Sequence, residues 1–410
     1  MLLKKKSIYK ITIIAFFILA LGYWGVGLYF FPSNGMLQWS NSENLNKHNG
    51  SDAEPRWQEN ACLFHGKDPY HLMTQQDPPV KGIGMMNEKM PGTMPWGPFL
   101  SQFIFPGFLP FSIAVWWGMV VFTGLFSIVC VMVYKLILKK SGNSLMALLA
   151  VAITLAQYGF APELKWLNIG GPIVGLLLIA CLLDDKRHWI IIGVLLGCAM
   201  VKPQLAIMFF LPHLARRNYK IIAVSIFVVV VPWLVNSIMF SHNPITLLLD
   251  YYKISAETQV ANGHAYFGLF DPLSKWFNIN PLIISPFQMA LCFIICTILC
   301  YKFKQAPNYL LFSIPAVFST FWTYSNEVNL PVLALLIISI IFYLAEKDFS
   351  LKSFDAIFLC FAIIVLAAPF SSSLRLYHFP VLAPLFQRFV FLIALGIVLY
   401  KEATNNIRLT

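Results

Sequence analysis

Charge is what this sequence has least of. Only 11% of its 410 residues are Asp, Glu, Lys or Arg, while 58% are hydrophobic. Soluble domains carry about 25% charged residues, so a water-soluble enzyme or regulator of this length is excluded. Acids are scarcer than bases: 18 Asp and Glu face 29 Lys and Arg, for a net charge of +11. In a soluble chain that excess would point to nucleic acid. In so apolar a chain it follows from Lys and Arg held on the cytoplasmic side of membrane spans, and from anionic lipid. Metal-ligand spacing is also missing, with no His-x-x-x-His and no Asp-x-Asp. Cys130, Cys181, Cys198, Cys292, Cys296 and Cys360 sit inside apolar runs and read as small core hydrophobes. No metal site and no cofactor are expected. Cys62 has no obvious partner in its polar stretch, so no structural disulfide is expected either.

What the sequence does have is apolar runs from end to end, with a mean hydropathy of +0.70. A run of about 18 residues is long enough to cross a hydrocarbon core. Lys4, Lys5, Lys6 and Lys10 hold the N-terminus in the cytoplasm, and the run Ile11–Phe31 outlasts a signal-peptide core without a small-residue cleavage site. The expectation is an all-α bundle of about twelve spans, one membrane domain over residues 1–410. Spans are placed near 10–31, 110–134, 144–160, 171–183, 220–240, 282–301, 308–323, 330–345, 353–370 and 385–400, with two outer loops at 33–98 and 241–282.

One stretch is too short for its task. Only roughly 27 residues separate the basic turns Lys186-Arg187 and Arg216-Arg217, and both belong inside, so the chain must go out and return. Each arm of about 13 residues reaches about 20 Å as helix, short of a core of about 30 Å. The apex Val201-Lys202-Pro203-Gln204 is therefore expected below the outer surface, where broken backbone is tolerated only against protein or a wet cavity.

The first outer loop has two structured parts. A helix is expected after Asp52, stopping at Gly66 before a Pro69-Tyr70 turn. Met94–Phe108, aromatic and rich in Pro and Gly, is expected to lie in the membrane interface. The order Asp52, Gly66, Tyr70 resembles the first loop of the family 87 glycosyltransferases of the GT-C superfamily, and Met94-Pro95-Trp96-Gly97-Pro98 loosely resembles the aromatic-Pro-Pro segment before their second span. Gly193-x-x-x-Gly197 followed by Lys202-Pro203 is similar to the family's Gly-x-x-x-Gly and Lys-Pro segment. Trp322-Thr-Tyr324-Ser-Asn326-Glu327 looks like its late aromatic-acidic turn. Gly170-Gly171-Pro172 departs from the Gly-Gln that often opens the fourth span there. The resemblance extends over about residues 10–345 and rests on order and spacing rather than on any single motif.

By that resemblance Asp52 is the general base for an acceptor hydroxyl, although an Asp at this position also suits a helix N-cap. Glu54 is a second acid in the same turn, stabilised by the helix dipole or facing the acceptor. Lys202, ionisable at membrane depth, would steady the phosphate of a lipid-linked donor, unless it snorkels to the interface. Gln204 and Arg375 are further candidates for that phosphate, while Lys165 and Arg388 read as interface anchors. Tyr70, His264, His378, Tyr324, Asn326 and Glu327 are outer polar residues able to grip a sugar or acceptor. Glu163 and Asp271 read as solvated.

The resemblance implies a membrane glycosyltransferase using a polyprenyl-phosphate-sugar donor. Mannose or another hexose would pass to a glycolipid or surface glycan on the extracytoplasmic face of a bacterial inner membrane. A secondary transporter or lipid flippase is the alternative, since many spans and a broken helix fit it too. A non-catalytic assembly subunit has no specific support. Phased basic turns put both termini inside. Cysteines placed at Asn46 and Asn218 should react with an impermeant maleimide from opposite sides, and outside labelling at 218 would overturn the orientation.

Overall fold

The computed structural model describes residues 2–31, 53–69, 94–249, 251, 281–320, 327–346, 353–368 and 382–409. Among these residues every regular element is helical and there is no strand. Helix α1 (Leu2–Phe31) precedes α2 (Ala53–Phe64) and the single turn α3 (Gly97–Leu100). Then come α4 (Phe111–Ser141), α5 (Ser144–Leu155), α6 (Phe160–Trp166), α7 (Gly170–Leu182), α8 (Trp189–Ala199) and the short α9 (Pro203–Ala206). A 3₁₀ turn (Ile207–Phe209) leads to α10 (Phe210–Ala215), followed by α11 (Tyr219–Met239), α12 (Pro281–Lys302), α13 (Asn308–Leu311) and α14 (Ser313–Phe318). A second 3₁₀ segment (Glu327–Leu333) leads to α15 (Ala334–Glu346), α16 (Phe354–Ala367) and α17 (Leu382–Leu409).

Three helical stretches among the described residues are long and apolar enough to cross a membrane: Phe111–Ser141, Tyr219–Met239 and Asn329–Glu346. Shorter apolar stretches of 10–17 residues lie within α1, α5, α7, α8, α12 and α16, and across α9–α10 and α13–α14. Turn chemistry works as expected between α4 and α5. Gly142 takes φ 64° and returns its N–H to Leu138 O, and the Asn143 side chain caps α5 by accepting from the N–H groups of Leu145 and Met146.

The basic turns gather at one end of the bundle. Arg216 donates from Nε to Lys304 O at 2.8 Å, from Nη2 to Ala306 O at 2.6 Å and from Nη1 to Asn308 Oδ1 at 2.5 Å. Its Nη1 also lies 3.4 Å from Asp185 Oδ2, which accepts from Asn218 Nδ2 at 2.8 Å. Asn308 Nδ2 closes the set on Leu183 O. Burial pushes the Asp185 carboxyl above its usual range, and the Arg216 guanidinium pulls it back. Lys140 joins this end over the Tyr309 ring, and Lys401 pairs with Glu346.

The expected break between the short arms is present. A Cβ on Gly193 would meet Val224, and one on Gly197 would meet Val228, so α8 and α11 step along each other in the same direction. Ser225 Oγ donates to Gly193 O at 2.8 Å and locks that register. Two parallel neighbours require the chain between them to run back. It does so from Met200 to Asn218 through α9, the 3₁₀ turn and α10, with Pro203 opening the return and Pro212 inside it. Residues 189–214 are not one continuous helix.

The two structured parts of the first loop are docked together. Helix α2 ends ahead of Gly66 at φ 67°, with Lys67 N–H returning to Cys62 O. Asn60 is fully buried and engaged on all sides: its Nδ2 donates to Phe105 O, its Oδ1 accepts from Ser101 Oγ and its backbone O accepts from Gln102 Nε2. Trp57 Nε1 reaches Leu109 O. Segment 94–108 is packed against the protein over much of its length. Trp96, Ile104 and Phe105 are buried, and only side chains such as Phe103 and Phe108 stay outside.

This docking predicts a chemical result. Burial, aided by the Glu59 and Asp68 carboxylates, pushes the Cys62 thiol up to about 12. At pH 7–8 it stays protonated and should resist maleimide until the protein is denatured. A Cβ on Gly107 would lie 2.2 Å from the backbone of Asn60. Gly107→Ala should cost about 1–3 kcal/mol in local packing and make Cys62 reactive, as read by peptide mass spectrometry. Equal protection in both proteins would refute the docking.

Candidate functional site

Two helix breaks meet at the end of the bundle opposite the basic turns. The first lies between α6 and α7. Leu167 is held at φ 43°, a backbone region costly for a bulky residue, and is almost fully buried there. Asn168 follows, and its Oδ1 accepts the Gly170 N–H at 2.7 Å, an Asx turn immediately ahead of α7. Glu163 Oε1 accepts the next N–H, that of Gly171, at 2.8 Å, which it shares with Asn168 O at 3.3 Å.

The second break lies between α8 and α9. Lys202 stands immediately before α9, and its backbone O accepts from both Leu205 and Ala206. Its Nζ donates to Asn168 Oδ1 and to Asn329 Oδ1, each at 3.1 Å. Asn329 is delivered by the 3₁₀ segment Glu327–Leu333 and is almost fully buried. Two neutral side-chain amides are thus among the groups that hold the ammonium. Lys202 is half-buried and held from within the bundle, an arrangement different from a lysine extended freely to the interface. Trp96 supports the same break. Its Nε1 donates to Met200 O at 2.8 Å, its ring meets Trp233 edge-on, and Asn236 Nδ2 holds Pro95 O at 2.7 Å.

Both glycines at the start of α7 are closely approached by side chains. A Cβ on Gly170 would sit 2.7 Å from Lys202 Nζ and 2.9 Å from each Asn oxygen. A Cβ on Gly171 would sit 2.3 Å from Glu163 Oε1 and 2.5 Å from the Phe122 ring. Where Glu163 stands, a side chain at position 171 has no room.

No family model matches this chain. Neither the curated proteins nor the solved structures compared with it include a match either. The site is read from its own geometry.

Several expectations need correction. Glu163 is not solvated but fully buried, because its carboxylate serves the N-terminus of α7, where negative charge is favoured. Arg388 is 7% exposed and so is not an open interface anchor. Gln204 is half-buried in the first turn of α9, next to Lys202. The backbones of Glu54 and Glu327 lie in the first turn of α2 and at the start of the second 3₁₀ segment. Asp52, Tyr70, His264, Asp271, Tyr324, Asn326, Arg375 and His378 lie outside the described residues, as does most of 241–282. Among the described residues no cluster of His, Cys, Asp and Glu is placed to hold a metal ion.

Asn168, Asn329, Glu163 and Trp96 are the site residues that sequence reasoning missed. Asn168 alone carried a usable signal, an Asn two residues ahead of a Gly-Gly helix start.

The two glycines should respond differently to alanine. At Gly170 the added methyl meets the tips of side chains that can move, so Gly170→Ala should displace Lys202 at a cost below about 1 kcal/mol. At Gly171 it meets a buried carboxylate and a packed ring, so Gly171→Ala should cost about 1–3 kcal/mol. Thermal unfolding of both variants in detergent checks this; equal losses would refute the assigned contacts.

Proposed function

We propose that this chain is an integral membrane glycosyltransferase. It would move mannose or another hexose from a polyprenyl-phosphate-linked donor to a glycolipid or surface-glycan acceptor. In this reading the chain crosses the membrane about twelve times, with the short helices and broken arms counted as crossings. The helix breaks face the extracytoplasmic side of a bacterial inner membrane. The observation that carries the reading is Lys202, placed at a helix break and gripped by Asn168 and Asn329. A cation fixed at such a depth is suited to a lipid phosphate, which it would meet on donor binding and hold more strongly as the phosphate departs.

The reaction would be a single displacement. The acceptor oxygen attacks the anomeric carbon, the bond to the lipid phosphate breaks with inversion, and Asp52 takes the acceptor proton. Gln204 and Arg375 are assigned to the donor phosphate. Glu54, Tyr70, His264, Tyr324, Asn326 and Glu327 are assigned to sugar or acceptor.

A second reading gains from one observation. Glu163 is a fully buried acid beside a helix break, and transporters place ionisable groups at discontinuous helices. Purified protein in lipid nanodiscs, given undecaprenyl-phosphate-linked radiolabelled mannose and a mixed glycolipid extract, separates the two. Asp52→Asn should lose about 10²–10⁴ in transfer rate while still binding donor, and Lys202→Met should lose both binding and turnover. Parental transfer by Asp52→Asn removes the base assignment. Donor movement across proteoliposomes without transfer favours the transporter.

A further inference from the structure

The functional reading leaves one contact unused, the hydrogen bond from the first loop to the broken helix. Helix α8 ends at Ala199, and the turn after it is held by its own N–H groups: Met200 N to Gly197 O, Val201 N to Cys198 O and Lys202 N to Ala199 O. The Met200 carbonyl, two residues before Lys202, is taken by the Trp96 indole N–H at 2.8 Å. Trp96 is 7% exposed and is fixed in turn. Asn236 of α11 holds Pro95 O, Trp233 meets the Trp96 ring, and Ser101 returns its N–H and hydroxyl to Gly97 O. The segment continues into the Ser101–Asn60–Phe105 network that docks α2.

We propose that Trp96 is a positioning residue for Lys202, acting through the Met200 carbonyl. The docked first loop is then a gauge that fixes where the ammonium stands relative to Asn168 and Asn329. A carbonyl at a helix break away from water needs a donor. The indole supplies one that is rigid, with only two rotatable bonds to the backbone. Its loss would let the Met200–Lys202 turn rotate and would move Nζ out of its amide cradle. The value of this for catalysis rests on the proposed phosphate-binding role of Lys202; the positioning itself does not.

The sequence offers a matched control. Trp117 Nε1 donates to Phe103 O, also at 2.8 Å, from the exposed face of α4, to a carbonyl outside the Met200–Lys202 turn. Full-length protein in nanodiscs would be compared as parent, Trp96→Phe, Trp96→His and Trp117→Phe. Phe keeps the ring and removes the N–H, while His keeps a ring N–H. Hydrogen exchange over residues 196–206 and the pH titration of the Lys202 side chain, followed by NMR in protein carrying unmodified ¹³C,¹⁵N-labelled lysine, are the readouts. Trp96→Phe should speed exchange about tenfold, as expected for one lost buried hydrogen bond, and shift the Lys202 titration. Trp96→His should restore part of both, and Trp117→Phe should change neither. Unchanged exchange and titration in Trp96→Phe, or equal changes in Trp117→Phe, overturn the proposal.

Undecaprenyl phosphate binding, followed by native mass spectrometry, tests the other layer separately. If Lys202→Met binds it as the parent does, the phosphate reading fails even where the Trp96 effects appear.

Discussion

A backbone that breaks away from water must be repaired by side chains, and the organisation of the candidate site follows from that requirement. A helix end leaves N–H and C=O groups without partners, and in an apolar surrounding each costs free energy comparable to a lost hydrogen bond. The bundle has two such ends facing each other. At one, Asn168 and Glu163 take the first N–H groups of α7. At the other, Trp96 supplies the donor for Met200 O. Lys202 then joins the repaired ends by sharing Asn168.

The repair explains where charge and glycine occur. A carboxylate and an ammonium are costly in an apolar bundle unless each is well held. Glu163 is held by the N-terminus of α7, and Lys202 by neutral amides from two segments. Both approaches need bare backbone, and Gly170 and Gly171 provide it in adjacent positions.

The sequence made the elements legible and left most of their partners hidden. Apolar runs and basic caps located α7, α11 and α12 within a residue at each end but fell short of the N-terminal end of α1 and the C-terminal end of α4 by about two turns of helix, and the arithmetic of roughly 27 residues between two like-sided turns located the break at Lys202. Such signals report length and side, which are local properties. They overstate length where Gly and Pro cut a run: the expected span at 308–323 became two helices, Asn308–Leu311 and Ser313–Phe318. They are silent on contacts between distant residues. Asn329 lies 127 positions from Lys202, and Trp96 lies 104 positions from Met200. Glu163 was misjudged for the same reason. A lone acid near an aromatic turn looks exposed until the N–H eight residues onward is seen to point at it.

The Arg216 clasp has a consequence for how the chain is made. The arm Phe210–Ala215 is too short to sit in lipid alone, and its end is fastened to carbonyls that arrive much later. Arg216 binds Lys304 O across 88 positions and Asn308 across 92. At about 5–20 residues per second, synthesis takes roughly 5–20 s to deliver those partners. During that interval Asp185, made earlier in the chain, is the partner already at hand for Arg216. A truncation before residue 304 would leave this arm fastened by the Asp185 contact and the Asn218 bond to the same carboxylate, without the three oxygens that complete the clasp.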